Sequence, residues 1–166
     1  NGTREGRVTI RSVYDLDGVE VSGDWTERER GFRRTCRDRV RVYELQGDLT
    51  FAGAESALRR LETDMDDLSV AIVEISRIGV IDPVARTMLL SAKRTLDERG
   101  RKAMLVDPDN VVRTSVKRHR NDAIAPNLNV PEDLLGFDPT LPHVHSTMDE
   151  AIEDAEAFLL KQQSDA

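Results

Sequence analysis

The stretch VAIVEISRIGVIDP, residues 70–83, decides the fold. Its first six residues are almost all apolar and rich in β-branched side chains, which is typical of a central strand covered on both faces. Asp82 followed by Pro83 is the pairing expected for a helix N-cap and the first helical position. Residues 70–83 therefore predict a buried strand that leads into a helix.

The segments on either side continue this alternation of strand and helix. Residues 40–46 alternate apolar and polar side chains, as a half-buried strand does, and residues 103–106 predict a further strand. Helices are predicted over residues 111–120 and where apolar side chains recur at helical spacing. In the first of these helices the positions are Ala54, Leu58, Leu61 and Met65. In the second they are Val84, Met88, Ala92 and Leu96, and Gly100 is placed to end the helix. In the last they are Ala151, Ala155, Phe158 and Leu159, and Thr147 begins the helix with Glu150 placed for a capping box. The order predicts an α/β fold: a mixed sheet of four to five strands, with 40–46, 70–75 and 103–106 central, and three to four helices packed on it.

The first 38 residues are predicted to be an N-terminal extension and charged linker, ahead of a domain that covers residues 39–163. Residues 8–14 hold enough apolar side chains for a strand at the sheet edge or on a neighbouring copy of the chain. Residues 27–37 are dominated by arginine and glutamate, which predicts an exposed or mobile helix outside the core. Trp25 is expected to anchor the crossing between the two segments.

The composition excludes several classes of protein. The chain has 166 residues, 39% of them apolar, and no apolar run approaches the roughly 20 residues of a membrane helix. Its net charge of −7 opposes general nucleic-acid binding. The single cysteine, Cys36, excludes a disulfide within the chain and indicates a reducing, cytoplasmic location. Because the first residue is not Met, we expect a piece of a longer protein.

The order of these elements resembles a STAS domain, as found in sulfate transporters and anti-anti-sigma factors. The resemblance covers roughly residues 40–160 and is carried by VRVYELQGDL at 40–49, the strand at 70–75, the helix start at Asp82 and TMDEA at 147–151. It implies the mixed sheet predicted above. It also implies a domain that regulates or contacts other proteins, without a cofactor of its own.

A second resemblance extends towards the N-terminus. RSVYDLDGV at 11–19, a charged linker and then VYELQGDL at 42–49 are similar to bacterial glutaminases, in which a STAS domain follows the catalytic domain. This resemblance implies a C-terminal module of an enzyme that hydrolyses L-glutamine to L-glutamate and ammonia. The competing parent is a sulfate or anion transporter, whose cytoplasmic STAS domain also carries the Tyr-Glu-Leu-x-Gly pattern.

The helix start at Asp82 is the candidate site. In anti-anti-sigma factors a phosphorylatable Ser or Thr lies two positions after this Asp, but here Pro83 and Val84 lack a hydroxyl and Thr87 is the nearest one. This departure argues against a stand-alone anti-sigma factor antagonist. Asp82, Val84 and Ala85 are predicted to contact a partner, or an anion or nucleotide drawn to the helix N-terminus. The favoured alternative to anion binding is that Asp82 itself caps those N–H groups.

Other reactive side chains predict neither catalysis nor a metal. His143 and His145 have ligand-compatible spacing, with Asp138, Asp149 and Glu150 as further oxygen donors, but an ordinary edge strand is the favoured interpretation. His119 lies in a solvated basic helix end. The arginines around Cys36 could lower the pKa of its thiol, yet no histidine is nearby. The Ser-x-x-Lys pair of glutaminases is missing.

The sequence therefore predicts a non-catalytic regulatory domain with no cofactor. Its expected partners are its own catalytic domain or another copy of itself. The alternative function class is a sensor of nucleotides or small anions at the Asp82 helix start.

Overall fold

The computed structural model describes residues 9–18, 26–109 and 144–165 of the chain. Its elements are β1 (Thr9–Tyr14), α1 (Glu27–Cys36), β2 (Val40–Leu49), α2 (Phe51–Asp64), β3 (Val70–Ile81), α3 (Pro83–Glu98), β4 (Lys102–Val106), β5 (Val144–His145) and α4 (Met148–Ser164), with a short 3-10 turn at Leu16–Gly18. The predicted mixed sheet with helices on it is confirmed. The helix predicted over 111–120, the anchoring role of Trp25, and the sites at His119, Asp138 and His143 fall outside the described residues.

The five strands lie in the order β1-β2-β3-β4-β5. Strands β2, β3, β4 and β5 run parallel to one another, and β1 pairs antiparallel with β2. β3 occupies the centre, where Ile72 is fully buried and Val73 is almost so, as its apolar sequence predicts. The sequence pattern ends this strand at Ile75, whereas the structure continues it to Ile81. The extension forms because β2 also continues, so that Leu49 pairs with Ile81.

Two layers of helices cover the sheet. The face under α2 and α3 contains the buried side chains Tyr43, Leu45, Ala71, Val73, Ile75, Ala103 and Leu105. The opposite face contains Val40, Val42, Val70, Ile72, Met104 and Val106, and it is covered by α1 and α4. β2, β3 and β4 therefore bury both faces, as expected of the central strands of an α/β sheet.

The helix predicted within residues 27–37 is present, but the prediction that it lies outside the core is wrong. Phe32 and Cys36, one helical turn apart on α1, are buried in the cluster that contains Val42 and Ile72. The arginines project from the other faces of the helix, so a strongly charged helix still presents an apolar stripe. Thr26 and Glu29 form a capping box that the sequence analysis missed, although its Thr-x-x-Glu signature is present.

The predicted apolar stripe of α3 is confirmed at Leu96 and wrong at Val84. Ala85, Leu89 and Leu96 face the core, whereas Val84 is 38% exposed. Ala85, Leu89 and Leu96 recur at helical spacing and set the core-facing side of the helix, and Val84 falls one position off that side. The stop at Gly100 is confirmed: its φ is 75°, and Arg101 N–H donates to the Leu96 carbonyl at 2.9 Å in a Schellman arrangement.

None of the helices in the described part of the chain combines the length and the apolarity needed to cross a membrane.

Candidate functional site

The carboxyl ends of β2 and β3 bring two helix starts to the same edge of the sheet. Leu49 pairs with Ile81, and the Asp82 N–H donates to the Leu49 carbonyl at 2.9 Å. Thr50 caps α2 one residue after β2 ends, and Asp82 caps α3 one residue after β3 ends. The site predicted at Asp82 is therefore an edge formed by two strand–helix junctions.

The first N–H groups of α3 are already bonded within the chain. One oxygen of the Asp82 carboxylate accepts from the Val84 N–H at 2.8 Å and from the Ala85 N–H at 3.4 Å, and Pro83 has no N–H to offer. In α2, the Thr50 hydroxyl accepts from the Gly53 N–H at 3.2 Å. An anion at α3 would have to displace a carboxylate of its own sign, so anion or nucleotide binding there stays a prediction without support from this geometry.

The position that the resemblance to anti-anti-sigma factors would assign to a phosphorylated hydroxyl is occupied by an exposed apolar side chain. Val84 faces solvent, and Pro83 before it is partly buried. The nearest hydroxyl, that of Thr87, donates to the Pro83 carbonyl at 3.0 Å and is half-buried in the helix. Nothing at Pro83 or Val84 can accept a phosphate.

Apolar side chains crowd this edge. Among the described residues four large hydrophobic side chains are exposed, and three of them lie here: Phe51 at the start of α2, Val80 at the end of β3 and Val84 at the start of α3. We call these three the edge patch. Sequence reasoning selected only Val84 and missed Phe51 and Val80. The available signal was a large apolar residue near each helix cap: Phe51 directly follows Thr50, and Val80 and Val84 lie two residues on either side of Asp82.

Asp48 fixes the backbone beneath the edge patch. Its Oδ1 accepts from the Val80 N–H at 3.2 Å. Gly79 lies so close that a Cβ built there would be 3.2 Å from the same oxygen. This contact lies at the register shift between the Gly47–Ile78 and Leu49–Ile81 pairs, and it holds Val80 in place at the edge.

The titratable groups elsewhere have structural roles. Burial first, and then the hydrogen bond to Asp64, raise the pKa of Tyr43, whose hydroxyl donates to Asp64 Oδ2 at 2.8 Å. Burial works to raise the pKa of Asp64, but hydrogen bonds from Tyr43 and Arg60 and the charge of Arg41 lower it overall. This group joins β2 to the end of α2.

The expectation that arginines lower the pKa of the Cys36 thiol is wrong. Burial raises that pKa, with the charge of Arg39 lowering it less and that of Glu156 raising it. The thiol is almost fully buried in the core, and a raised pKa disfavours the thiolate that a nucleophilic cysteine needs.

His145 is engaged within the fold. Its Nε2 lies 2.7 Å from Asp154 Oδ2, which ties β5 to α4. The predicted cap at Thr147 is present, since its hydroxyl accepts from the Glu150 N–H. The Glu150 carboxylate accepts from the Ser146 N–H at 3.2 Å, one residue before the N–H of Thr147 that a capping box would use. Over residues 9–18, 26–109 and 144–165, no three His, Cys, Asp or Glu side chains are grouped as metal ligands.

A cavity of about 550 Å³ lies at the opposite edge of the sheet, between the end of α3, the start of β4 and α4. Lys102 Nζ stands 5.6 Å from the centre of the Phe158 ring and 3.5 Å from Asp97 Oδ1. Asp154, also on the wall, is paired with His145. These charged groups already have partners, which leaves the edge patch as the better candidate site.

Comparisons with known proteins place this fold in a family. A family model described as "STAS domain" matches residues 32–151. No curated protein matches the sequence. The chain is similar to the anti-sigma factor antagonist SpoIIAA in its unphosphorylated form, with 18% identity, a TM-score of 0.50, and coverage of 72% of this chain and 90% of that one. It is likewise similar to a sulfate transporter family protein from Wolinella succinogenes, with 19% identity, a TM-score of 0.51, and coverage of 73% and 88%. These two likenesses show the fold.

A third similar structure is that of Mglu. Its identity to this chain is 26% over 43% of the chain, with a TM-score of 0.41. The present chain spans 18% of the Mglu chain.

Proposed function

The chain belongs to the STAS domain family, and we propose that it is a regulatory module whose edge patch binds another protein surface. STAS domains are generally non-catalytic and generally mediate protein interactions. The observation that carries the proposal is the exposure of Phe51, Val80 and Val84 at one edge, since exposed apolar groups that cluster mark sites of protein contact.

The chemistry of the edge favours a constitutive contact over a phosphate-controlled one. Asp82 uses the N–H groups of Val84 and Ala85, so a phosphate would find no free donor at the first turn of α3. Val84 stands where a switch hydroxyl would be, and it adds apolar area to the edge patch. These features support contact by Asp82 and Val84 with a partner protein over a nucleotide- or anion-sensing module, and they argue against a stand-alone anti-sigma factor antagonist. Ala85, which the sequence grouped with them, is fully buried in the core and offers no side chain to a partner.

For the parent protein, we propose a bacterial, cytoplasmic glutaminase in which this domain follows the catalytic domain. The support is the resemblance of residues 11–19 and 42–49 to such enzymes. The partner of the edge patch is then the catalytic domain of the same polypeptide, which hydrolyses L-glutamine to L-glutamate and ammonia. The runner-up parent is a sulfate or anion transporter with a cytoplasmic STAS domain.

Calorimetric titration of this chain with the rest of its parent polypeptide, expressed separately, tests the edge patch. We expect saturable binding that weakens by about a hundredfold in the Val80→Asp/Val84→Asp variant, because a charge in a buried apolar contact lacks a partner. Ser91→Asp/Thr95→Asp is the matched control, since it adds the same two charges at exposed positions of α3 that lie two helical turns or more from Val84. Equal affinity of the edge variant and the wild type would disprove the proposed surface.

Ammonia release from L-glutamine by the full-length parent tests the proposed enzyme. Failure to hydrolyse L-glutamine would remove the glutaminase assignment while leaving the edge patch open to its own test. Heat of binding when this chain is titrated with guanine or adenine nucleotides would instead support the nucleotide-sensing function.

A further inference from the structure

Helices α1 and α4 form one continuous outer layer on their face of the sheet. Phe32 of α1 shares a core cluster with Ala155 and Leu159 of α4. At the helix flanks, Arg28 Nε lies 3.6 Å from Glu156 Oε1. Below α1, Arg39 donates to Gln162 at 3.1 Å. The two helices therefore lie side by side, and their outer faces make a single surface.

The α1 half of this surface is basic on balance, because four arginines of the helix outnumber Glu27 and Glu29. Arg30 and Arg34, one turn apart, lie on the side of α1 opposite Phe32 and Cys36, and both are exposed. Within the described segments neither arginine forms an ion pair, whereas Arg28 and Arg37 do. Two guanidinium groups are thus presented to solvent in a protein whose net charge is −7.

The α4 half is acidic at one end and apolar at the other. Ala151, Ala155 and Leu159 face the core, which turns Glu153, Ala157 and Leu160 outwards. Leu160 is 42% exposed, and Glu150 adds a second exposed carboxylate one turn before Glu153. Glu153 has no ion-pair partner among the residues that the structure describes.

We propose that a second copy of this chain binds this surface, with α1 of each protomer lying on α4 of its partner. A two-fold interface must be self-complementary, and a basic helix beside an acidic one satisfies that condition twice, since each α1 meets an α4 of opposite charge. Ala157 and Leu160 of each α4 supply apolar contact beside these charged groups. The net charge of −7 acts weakly against this contact, because at physiological ionic strength charges more than about 8 Å apart are largely screened.

This interface is separate from the edge patch, and neither proposal depends on the other. The edge patch lies where β2 and β3 end, whereas the α1–α4 surface covers a face of the sheet. The Val80→Asp/Val84→Asp variant should therefore keep the wild-type oligomeric state.

Sedimentation velocity across the micromolar range tests the proposal through charge swapping. The first variant, Arg30→Glu/Arg34→Glu, has two acidic helices, and the second, Glu150→Lys/Glu153→Lys, has two basic ones. Each variant alone should dissociate about a hundredfold more readily than the wild type, because like charges then meet at both contacts. An equimolar mixture of the two should form a heterodimer, because opposite charges meet again at both contacts.

A control variant separates this effect from net charge. Arg59→Glu/Arg94→Glu makes the same change in net charge as Arg30→Glu/Arg34→Glu. It does so on α2 and α3, on the other face of the sheet, and should leave the dimer intact. Because Glu150 also bonds the Ser146 N–H, circular dichroism must show that each variant is folded; Glu153→Lys alone replaces the second variant if it is not.

The outcomes decide the proposal. Dimerisation that weakens in both swaps and returns in their mixture supports it. A wild-type chain that stays monomeric overturns it, and so does a mixture that fails to associate. A dimer unaffected by either swap overturns it as well and points to pairing elsewhere, such as the outer edge of β1.

Discussion

The two faces of the sheet are covered by helices of very different composition. On one face, α2 and α3 bury apolar residues along their length, including Leu61, Leu89 and Leu96. On the other, α1 buries only Phe32 and Cys36 and is otherwise mostly charged. Both helix pairs nevertheless close a core over the same central strands. The comparison teaches that the spacing of a few apolar side chains, more than average composition, decides whether a helix belongs to a core.

Buried charge is found on the face whose helices are the more apolar. The cluster under α1 and α4 contains apolar buried residues, together with the Cys36 thiol. The α3 side contains Lys93, only 6% exposed, whose ammonium lies 2.9 Å from Asp97 Oδ2. A helix that looks apolar in sequence thus holds a buried charge, while the charged helix keeps its charges outside.

The largest expected effect comes from Phe32→Ala, which tests whether α1 belongs to the core. Loss of a buried phenyl ring should lower the free energy of unfolding by about 3 kcal/mol, measured by urea denaturation. Thr35→Ala, at an exposed position of the same helix, should change it by less than about 0.5 kcal/mol. A Phe32→Ala variant as stable as the Thr35→Ala control would restore the linker interpretation of residues 27–37.

The next effect comes from the buried ion pair on the other face. Asp97→Asn leaves Lys93 without its counter-charge and should cost about 2 kcal/mol, less than for a fully buried pair because Asp97 is partly exposed. Lys93→Met should be neutral or stabilising, since an apolar chain of similar length needs no counter-charge. Chemical denaturation of both variants measures the difference. If Lys93→Met were the more damaging change, the pair would be a net source of stability.

Much of this architecture could be predicted from the sequence, for identifiable reasons. The central strands follow from apolar runs, and the caps at Asp82 and Thr147 and the stop at Gly100 are set by neighbouring residues. The core role of α1 could not be predicted from composition, because two apolar residues among arginines give a weak signal. The edge patch was found only at Val84, since Phe51 and Val80 come together through the pairing of β2 with β3, which a linear pattern does not contain.

A smaller effect separates the two tyrosines, one on each face. Tyr43→Phe should cost about 1 kcal/mol, because it removes the hydrogen bond to Asp64 from a tyrosine that is only 2% exposed. Tyr14→Phe, which removes a half-buried bond to Glu44 of 2.9 Å, should cost about half as much. Urea denaturation at neutral pH measures both. Equal costs would show that burial does not distinguish the two faces.

The pH dependence sharpens that comparison. The pKa of Tyr43 is raised in the folded state above its ordinary value of 10.0, so the folded protein holds this proton more tightly than the unfolded chain. The contribution to stability is complete below pH 10 and is lost progressively as the pH rises above it. Tyr43→Phe should remove that part of the alkaline loss, and an identical alkaline profile in the variant would contradict the assignment.

The last pair of effects comes from two glycines and should have opposite signs. Gly31 lies inside α1, and a Cβ built there meets no atom within 4 Å, so Gly31→Ala should stabilise the protein by about 0.5 kcal/mol through better helix propensity. Gly100 ends α3 with a φ of 75°, where a Cβ also has open space but the backbone disfavours any side chain. Gly100→Ala should therefore destabilise by about 1 kcal/mol. Thermal unfolding of the two variants beside the wild type measures the signs. If Gly31→Ala were destabilising, α1 would not be the regular, core-packed helix on which the comparison of the two faces depends.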